Sequence, residues 1–367
     1  MDFAYTEEQD DLRGLVKRIL EDKLTEERMR EVEAGLERFD RDTWAALATS
    51  NALGIALPED VGGNGLGMLE QCIVLEEVGR TVAPVPVLAS IVMGAMPIAQ
   101  FGTDEQKRAW AAPAAVGEKV LTAALVESLN RDAAAPTTRA VRDGDGWKLT
   151  GVKTCVPAGT IADAILVPAT TAEGVGVFIV EPSAAGVTIE RQLTTNKESE
   201  ALLTLDGAAG DLLGDVGAEI VHWITRRATL GLVAQQLGVL SRALEMTAAY
   251  ATTRVQFDRP IATFQAVGHR CADAYIDVQG VRLTLLQAVW KLEEGLDADI
   301  DVDIEVAKFW ASDAGHRVAH TTVHIHGGVG IDNDAPPHRY FVAAKKGELT
   351  LGSATDQLLR IGAAFAS

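Results

Sequence analysis

Arg254-Val255-Gln256-Phe257-Asp258-Arg259-Pro260-Ile261-Ala262-Thr263-Phe264-Gln265 separates two long helical patterns in the last third of the chain. Ile220 to Arg254 before it and Gln265 to Glu294 after it carry apolar residues at helical intervals for much longer than an average helix. Pro260 cannot continue a helix, so the chain turns here. A plain connection has no need of paired arginines, paired phenylalanines and a glutamine, which makes the stretch a candidate binding segment. A third pattern, Ile304 to His324, comes after an acidic, poorly hydrophobic turn at Glu293 to Asp303, and three long helices joined by turns make a bundle.

Upstream, residues 119–210 have a different texture. Val120 to Val126, Trp147 to Lys153, Ala164 to Pro168, Val175 to Val180 and Ala201 to Leu205 are short and β-branched or alternating, and Asp143-Gly144-Asp145-Gly146 is a hairpin signal. This segment predicts a β-barrel or sandwich. Residues 1–118 are helical again. Thr6-Glu7-Glu8-Gln9 has capping-box spacing ahead of Leu12, Leu15, Val16, Ile19 and Leu20, and a second helix starts near Asp40. A Gly-rich loop spans Leu57 to Gly67, a buried helix runs from Met68 to Val78, an apolar helix ends at Phe101, and Thr103 offers a further N-cap. The expected fold is α+β: an N-terminal helical domain over 1–118, a middle β-domain over 119–210 and a C-terminal four-helix bundle over 211–367.

At 367 residues, 47% of them hydrophobic, the chain can bury large cores. A net charge of -19 argues against a nucleic-acid backbone as partner, though a few local arginines are sufficient for a phosphorylated small molecule. Cys72, Cys155 and Cys271 are odd in number and far apart, so neither a disulfide framework nor a zinc knuckle is expected. The acidic start and the absence of an apolar run of about 20 residues predict no signal peptide and no membrane span, hence a cytoplasmic protein.

The order of domains and two motifs resemble the acyl-CoA dehydrogenase family over essentially the whole chain. Arg254 to Gln265 is similar to the family's R-x-x-F-G-x-x-x-x-x-x-Q segment, and His324-Ile325-His326-Gly327-Gly328-Val329-Gly330 to its Q-x-x-G-G-x-G turn. The resemblance implies that these segments of one subunit reach across an interface to the adenosine and diphosphate of an FAD whose ring lies in the neighbour. The residues it assigns to that cofactor are Arg254, Gln256, Phe257, Phe264, Gln265, His324, Ile325, His326, Gly327 and Gly328. Their chemistry suits the role: guanidinium matches phosphate oxygens, and glycines admit a close backbone approach.

The departures from the family are equally informative. Where the pattern has its C-terminal glutamate base, this chain has Gly352 and Ser353, and the alternative position at the start of the long helix is Ala228. The T-E-P-x-A-G-S-D flavin loop is reduced to Val126-Glu127-Ser128-Leu129-Asn130-Arg131-Asp132, and the W-I-T flavin-packing segment to Cys155-Val156-Pro157. No catalytic residue is therefore assigned. This pattern resembles the smaller, base-lacking subunit of actinobacterial steroid side-chain acyl-CoA dehydrogenases. It implies an α2β2 hetero-oligomer with a catalytic dehydrogenase subunit, a bulky acyl-CoA substrate and an electron-transferring flavoprotein as acceptor. Two alternatives stay open: a self-sufficient homo-oligomer with a displaced base at Asp258, Glu348 or Asp356, and a scaffold subunit that binds no cofactor. His316, His320 and His324 fall on one helix face without a fourth ligand, so no metal is expected.

Overall fold

The computed structural model describes residues 3–130, 132–296 and 299–366. The chain forms two compact units, one of Met1–Leu20, Gln71–Ala83 and Thr229–Ser367, the other of Glu21–Glu70 and Pro84–Ala228.

In the second unit, α2 (Glu26–Ala34) and α3 (Arg41–Thr49) are capped by Thr25 and Asp40, and Arg28 grips the Asp40 carboxylate with two hydrogen bonds of 3.0 and 2.9 Å. The β-strands are β1 (Leu121–Ala123), β2 (Arg139–Asp143), β3 (Gly146–Val156), β4 (Ala164–Thr170), β5 (Val175–Val180), β6 (Val187–Gln192) and β7 (Glu200–Leu213). Five of them close a ring in the order β4, β2, β3, β7, β5 and back to β4, so the middle region is a barrel, with β1 and β6 added outside it. Alternation along β3 turns Trp147 and Leu149 inward, and Trp147 meets Phe178 edge to face at 5.3 Å. The Asp143 to Gly146 signal is the β2–β3 turn, with Gly144 at φ 61°. The anticipated apolar helix before Phe101 is widened into π-turns over Leu88–Ala95, and strand β6 and helix α2 carry too little hydrophobic patterning to have been read in advance.

In the first unit, α1 (Glu7–Lys23) begins with the Thr6–Gln9 capping box. With α4 (Met68–Thr81), it joins the C-terminal helices α8 (Glu219–Thr253), α9 (Gln265–Glu293), α10 (Ile300–His326), α11 (Pro336–Leu349) and α12 (Ala354–Ala366), α5–α7 being the short helices Met96–Phe101, Asp104–Gln106 and Ala112–Ala115 of the other unit. α4 crosses α8 at Gly79 and Gly238, where an added Cβ would come within 1.9 Å of the Gln235 and Glu76 carbonyl oxygens, so backbone meets backbone. α8 and α10 run parallel in fixed register. Gln236 donates to the Ala311 carbonyl, and Thr247 donates to Thr322 at 3.1 Å, both at a separation of 75 residues. No helix among the described residues is long and apolar enough to cross a membrane.

Candidate cofactor half-site

α8 stops at Thr253 and gives way to a short β-hairpin rather than an irregular loop. Val255–Gln256 pairs with Arg259–Pro260, and the turn residues Phe257 and Asp258 both take left-handed backbone, φ 54° and 63°. That is the signature of a primed two-residue turn, normally built from Gly, Asn or Asp. Pro260 is tolerated because this ribbon has a free edge. Phe257 stands 87% exposed at the tip, its ring edge-on to Phe264 at 6.1 Å, and the Arg259 guanidinium covers Phe264 at 4.2 Å. A bulky residue in left-handed backbone is a costly choice that the fold around it does not require. Arg254 and Gln265 are exposed at the two ends of the segment, and neither side chain has a hydrogen-bond or ionic partner among the described residues. The amide of Gln256 turns back on its own chain, donating to the Val255 carbonyl at 2.8 Å.

The second motif ends α10. His324, Gly327 and Gly328 are exposed, whereas Ile325 and His326 are buried, so the last two side chains serve the fold. His326 stacks on Tyr250, one turn before Arg254, and this contact brings the two motifs to the same end of the unit. Gly327 turns the chain at φ 62°. A Cβ added to it or to Gly328 would meet nothing within 4 Å, whereas one on Gly330 would strike Val323. Gly330 is thus a packing glycine, and Gly328 has no packing reason to be small. Open glycines at the same end of the unit as an unpaired arginine and the exposed Phe257 fit the adenosine and diphosphate end of a dinucleotide.

The segments that the resemblance assigns to the flavin ring do not fit one. Glu127 is buried and accepts hydrogen bonds from the Thr137 and Thr138 amides (2.7 and 2.9 Å), both threonine hydroxyls (2.6 and 2.7 Å), Lys153 Nζ (2.7 Å) and Asn130 Nδ2 (3.2 Å). Burial alone would raise its pKa, but the Lys153 ammonium and the threonine donors outweigh it and hold the carboxyl far below its usual range. The Asp132 and Ala134 amides close on neighbouring side chains, the Cys155 amide donates to Gln192 Oε1 at 2.6 Å, and Pro157 has no N–H. Arg131 lies outside the described residues.

No displaced base emerges either. Asp356 Oδ2 accepts from the amide and hydroxyl of Ser353, each at 2.8 Å, which is the cap of α12. Glu348 is held by Lys345 and lies 3.5 Å from His316, and Asp258 sits on the exposed hairpin turn. Ala228 is fully buried in α8. Lys308 was not apparent from the sequence. It is wholly buried, and its Nζ donates to Ser312 Oγ (2.6 Å) and to the carbonyls of Gly352 (2.9 Å), Gly347 (3.1 Å) and Glu348 (3.3 Å). The only hint was a lysine on the apolar stripe Ile304, Ala307, Ala311. Among the described residues no group of three His, Cys, Asp or Glu side chains could hold a metal ion.

Profiles of the three acyl-CoA dehydrogenase domains match the chain: N-terminal over residues 6–118, middle over 128–201 and C-terminal over 215–365. The chain belongs to the acyl-CoA dehydrogenase family. Members are FAD-dependent oxidoreductases acting on CH–CH donors. This acyl-CoA dehydrogenase is 47% identical to acyl-CoA dehydrogenase FadE27 of Mycobacterium tuberculosis over 99% of the chain and 98% of that protein. Among solved structures, a chain of the ChsE4-ChsE5 complex from Mycobacterium tuberculosis superposes with a TM-score of 0.95 at 47% identity, covering 100% of this chain and 99% of that one. A chain of the Tcur3481-Tcur3483 steroid ACAD G363A variant gives 0.93 at 44% identity, with 98% of each covered. The α, β-barrel, α-bundle architecture is that of the family.

Proposed function

We propose that the chain is the base-lacking subunit of a hetero-oligomeric, FAD-dependent acyl-CoA dehydrogenase, and that it completes the cofactor site of a partner subunit. One contrast carries this reading. Glu127 and the amide of Cys155, in the segments that would meet a flavin ring, are bonded internally, while the Arg254 and Gln265 side chains at the two ends of the hairpin segment are left open. Bound FAD supplies the acceptor for the β-hydride of the acyl-CoA. Arg254 holds its diphosphate, Phe257 and Phe264 offer ring surface, Gln265 offers an amide, and the turn from His324 to Gly328 admits the cofactor closely. Because neither Gly352, Ser353 nor Ala228 can take a proton, the α-proton goes to a carboxylate of the partner.

Similarity to the ChsE4-ChsE5 complex and to a steroid ACAD supports a hetero-complex, α2β2, acting on a bulky steroid side-chain acyl-CoA. An electron-transferring flavoprotein is the acceptor that the family implies. The test is Arg254→Ala in the complex co-expressed with its partner dehydrogenase. FAD content should fall at least tenfold, about 1.4 kcal/mol of lost affinity, with the assembly intact on a sizing column. Unchanged FAD content would instead favour a scaffold subunit. Active, yellow protein from this chain alone would favour the homo-oligomer.

A further inference from the structure

Arg227 lies two turns into α8, and its guanidinium rests over the ring of Trp223, one turn before it, with Cζ 3.7 Å from the ring centroid. Trp223 in turn meets Phe101 edge-on at 5.5 Å, so the ring that carries the guanidinium is itself held. The Arg227 side chain is half-buried, yet none of its N–H groups has a hydrogen-bond or ionic partner among the described residues. Four other half-buried arginines sit on carboxylates: Arg13 on Glu76 at 2.9 Å, Arg28 on Asp40 at 2.9 Å, Arg80 on Glu245 at 2.8 Å and Arg282 on Glu76 at 3.1 Å.

Composition does not explain the missing acid, because the chain has 52 acidic residues against 33 lysines and arginines. Burial, and then the neighbouring cation Arg226, push the Arg227 guanidinium down to about 10, which leaves it charged at neutral pH. Stacking on indole offsets part of the cost of desolvating a cation, and an acid would offset more, so folding alone does not select this arrangement. It suits an anion that arrives from solution. With one face on Trp223, the guanidinium keeps its edge of paired donors for two oxygens of one ligand.

We propose that Arg227, held on Trp223, is a binding site for the phosphate group of a small molecule. A phosphate monoester suits it better than a carboxylate, since it brings about two negative charges into the field of two neighbouring cations and a carboxylate brings one. The site draws on no residue of the Arg254 to Gln265 segment or of the glycine turn, so it stands or falls apart from the cofactor half-site.

The probe is coenzyme A, which carries a phosphate monoester and a diphosphate, titrated calorimetrically at low salt into the full-length chain, with pantetheine as the phosphate-free control. Coenzyme A should bind and pantetheine should not. Arg227→Met, which keeps an apolar stem over Trp223, should weaken coenzyme A binding at least about tenfold. Arg227→Lys, which keeps the charge and loses the fork, should fall between the two. Inorganic phosphate that displaces coenzyme A at equal concentration would identify the free ion as the ligand, and phosphate that fails to do so would identify the nucleotide-borne group; either supports the site. Coenzyme A binding that is absent in the wild type, matched by pantetheine, or unchanged in Arg227→Met overturns the proposal. Loss of assembly when Arg227→Met is co-expressed with the partner dehydrogenase also overturns it, because Arg227 would then pair with a carboxylate of that subunit. The denaturant midpoint of Arg227→Met should equal or exceed that of the wild type, and a lower midpoint would make Arg227 a structural cation instead.

Discussion

The imidazole of His326 lies on the ring of Tyr250, with centroids 4.4 Å apart and planes 25° from parallel, while its Nδ1–H donates to the Thr322 carbonyl at 2.8 Å. Two segments more than seventy residues apart in sequence are thereby set at one end of the bundle. Burial holds this imidazole below its usual range, with the Thr322 hydrogen bond opposing. The folded protein thus keeps it neutral where the unfolded chain would protonate it, and stability falls as pH drops below about 6.5. His326→Phe keeps a ring and loses the hydrogen bond, so it should cost about 1 kcal/mol near neutrality. Urea denaturation across a pH series should show that gap narrowing in acid; a constant gap would mean His326 does not titrate on unfolding.

Phe257→Gly removes a left-handed phenylalanine, relieving about 1–2 kcal/mol, and returns about 0.5–1 kcal/mol of that as backbone entropy. The expected outcome is unfolding stability equal to or slightly above the wild type, with FAD content of the co-expressed complex reduced. A loss of about 2 kcal/mol in chemical denaturation would show instead that the Phe257–Phe264 contact holds the hairpin together.

Glu127→Gln leaves Lys153 as a buried cation without its counter-charge. The loss should be about 3–5 kcal/mol in stability at neutral pH, read by denaturant midpoint at constant slope. Because the wild-type carboxyl is depressed, its contribution is complete above about pH 4.3 and fades as pH falls below that value. The variant's deficit should shrink over the same acid window, and a deficit that persists unchanged into strong acid would contradict the charge assignment.

For Lys308 the sign is the same and the window is alkaline. Burial pushes its amine down to about 7, with Glu348 and Asp356 pulling the other way and Arg360 adding to the depression. Between that value and the unfolded value of about 10.4 the unfolded chain holds one more proton than the folded protein, so stability rises with pH. Relative to Lys308→Met, the wild type should gain up to about 1.4 kcal/mol for each pH unit across that window. Parallel stability curves for the two proteins would refute it.

Much of the architecture is legible in the chain. The long periods of α8, α9 and α10 give the bundle within a few residues, because helices of that length repeat the apolar stripe many times. The barrel strands are readable where β-branched residues cluster, as at Val175–Val180, and unreadable at β6, where Thr188, Glu190 and Arg191 break the pattern. The hairpin was hidden because its turn uses Phe257 where turn chemistry favours Gly, Asn or Asp. The internal bonding of Glu127 and Lys153 joins residues 26 apart across a barrel, and no local rule announces such a pairing. The inward side chain of His326 was likewise invisible, since two helical steps, a rotation of about 200°, are all that separate it from the outward His324.

The register shared by α8 and α10 makes the two motifs share a mechanical fate. Inserting one residue into α8 between Gln236 and Tyr250 would turn everything beyond it by about 100° and advance it by about 1.5 Å, carrying Tyr250 off His326 and the hairpin away from the glycine turn. An insertion of the same size in the connection between α9 and α10 would change nothing at that end. Length variation is therefore tolerated where the chain crosses back and forbidden within the paired spans, so the spacing from Gln236 to Tyr250 determines where the two motifs stand as much as any side chain in them.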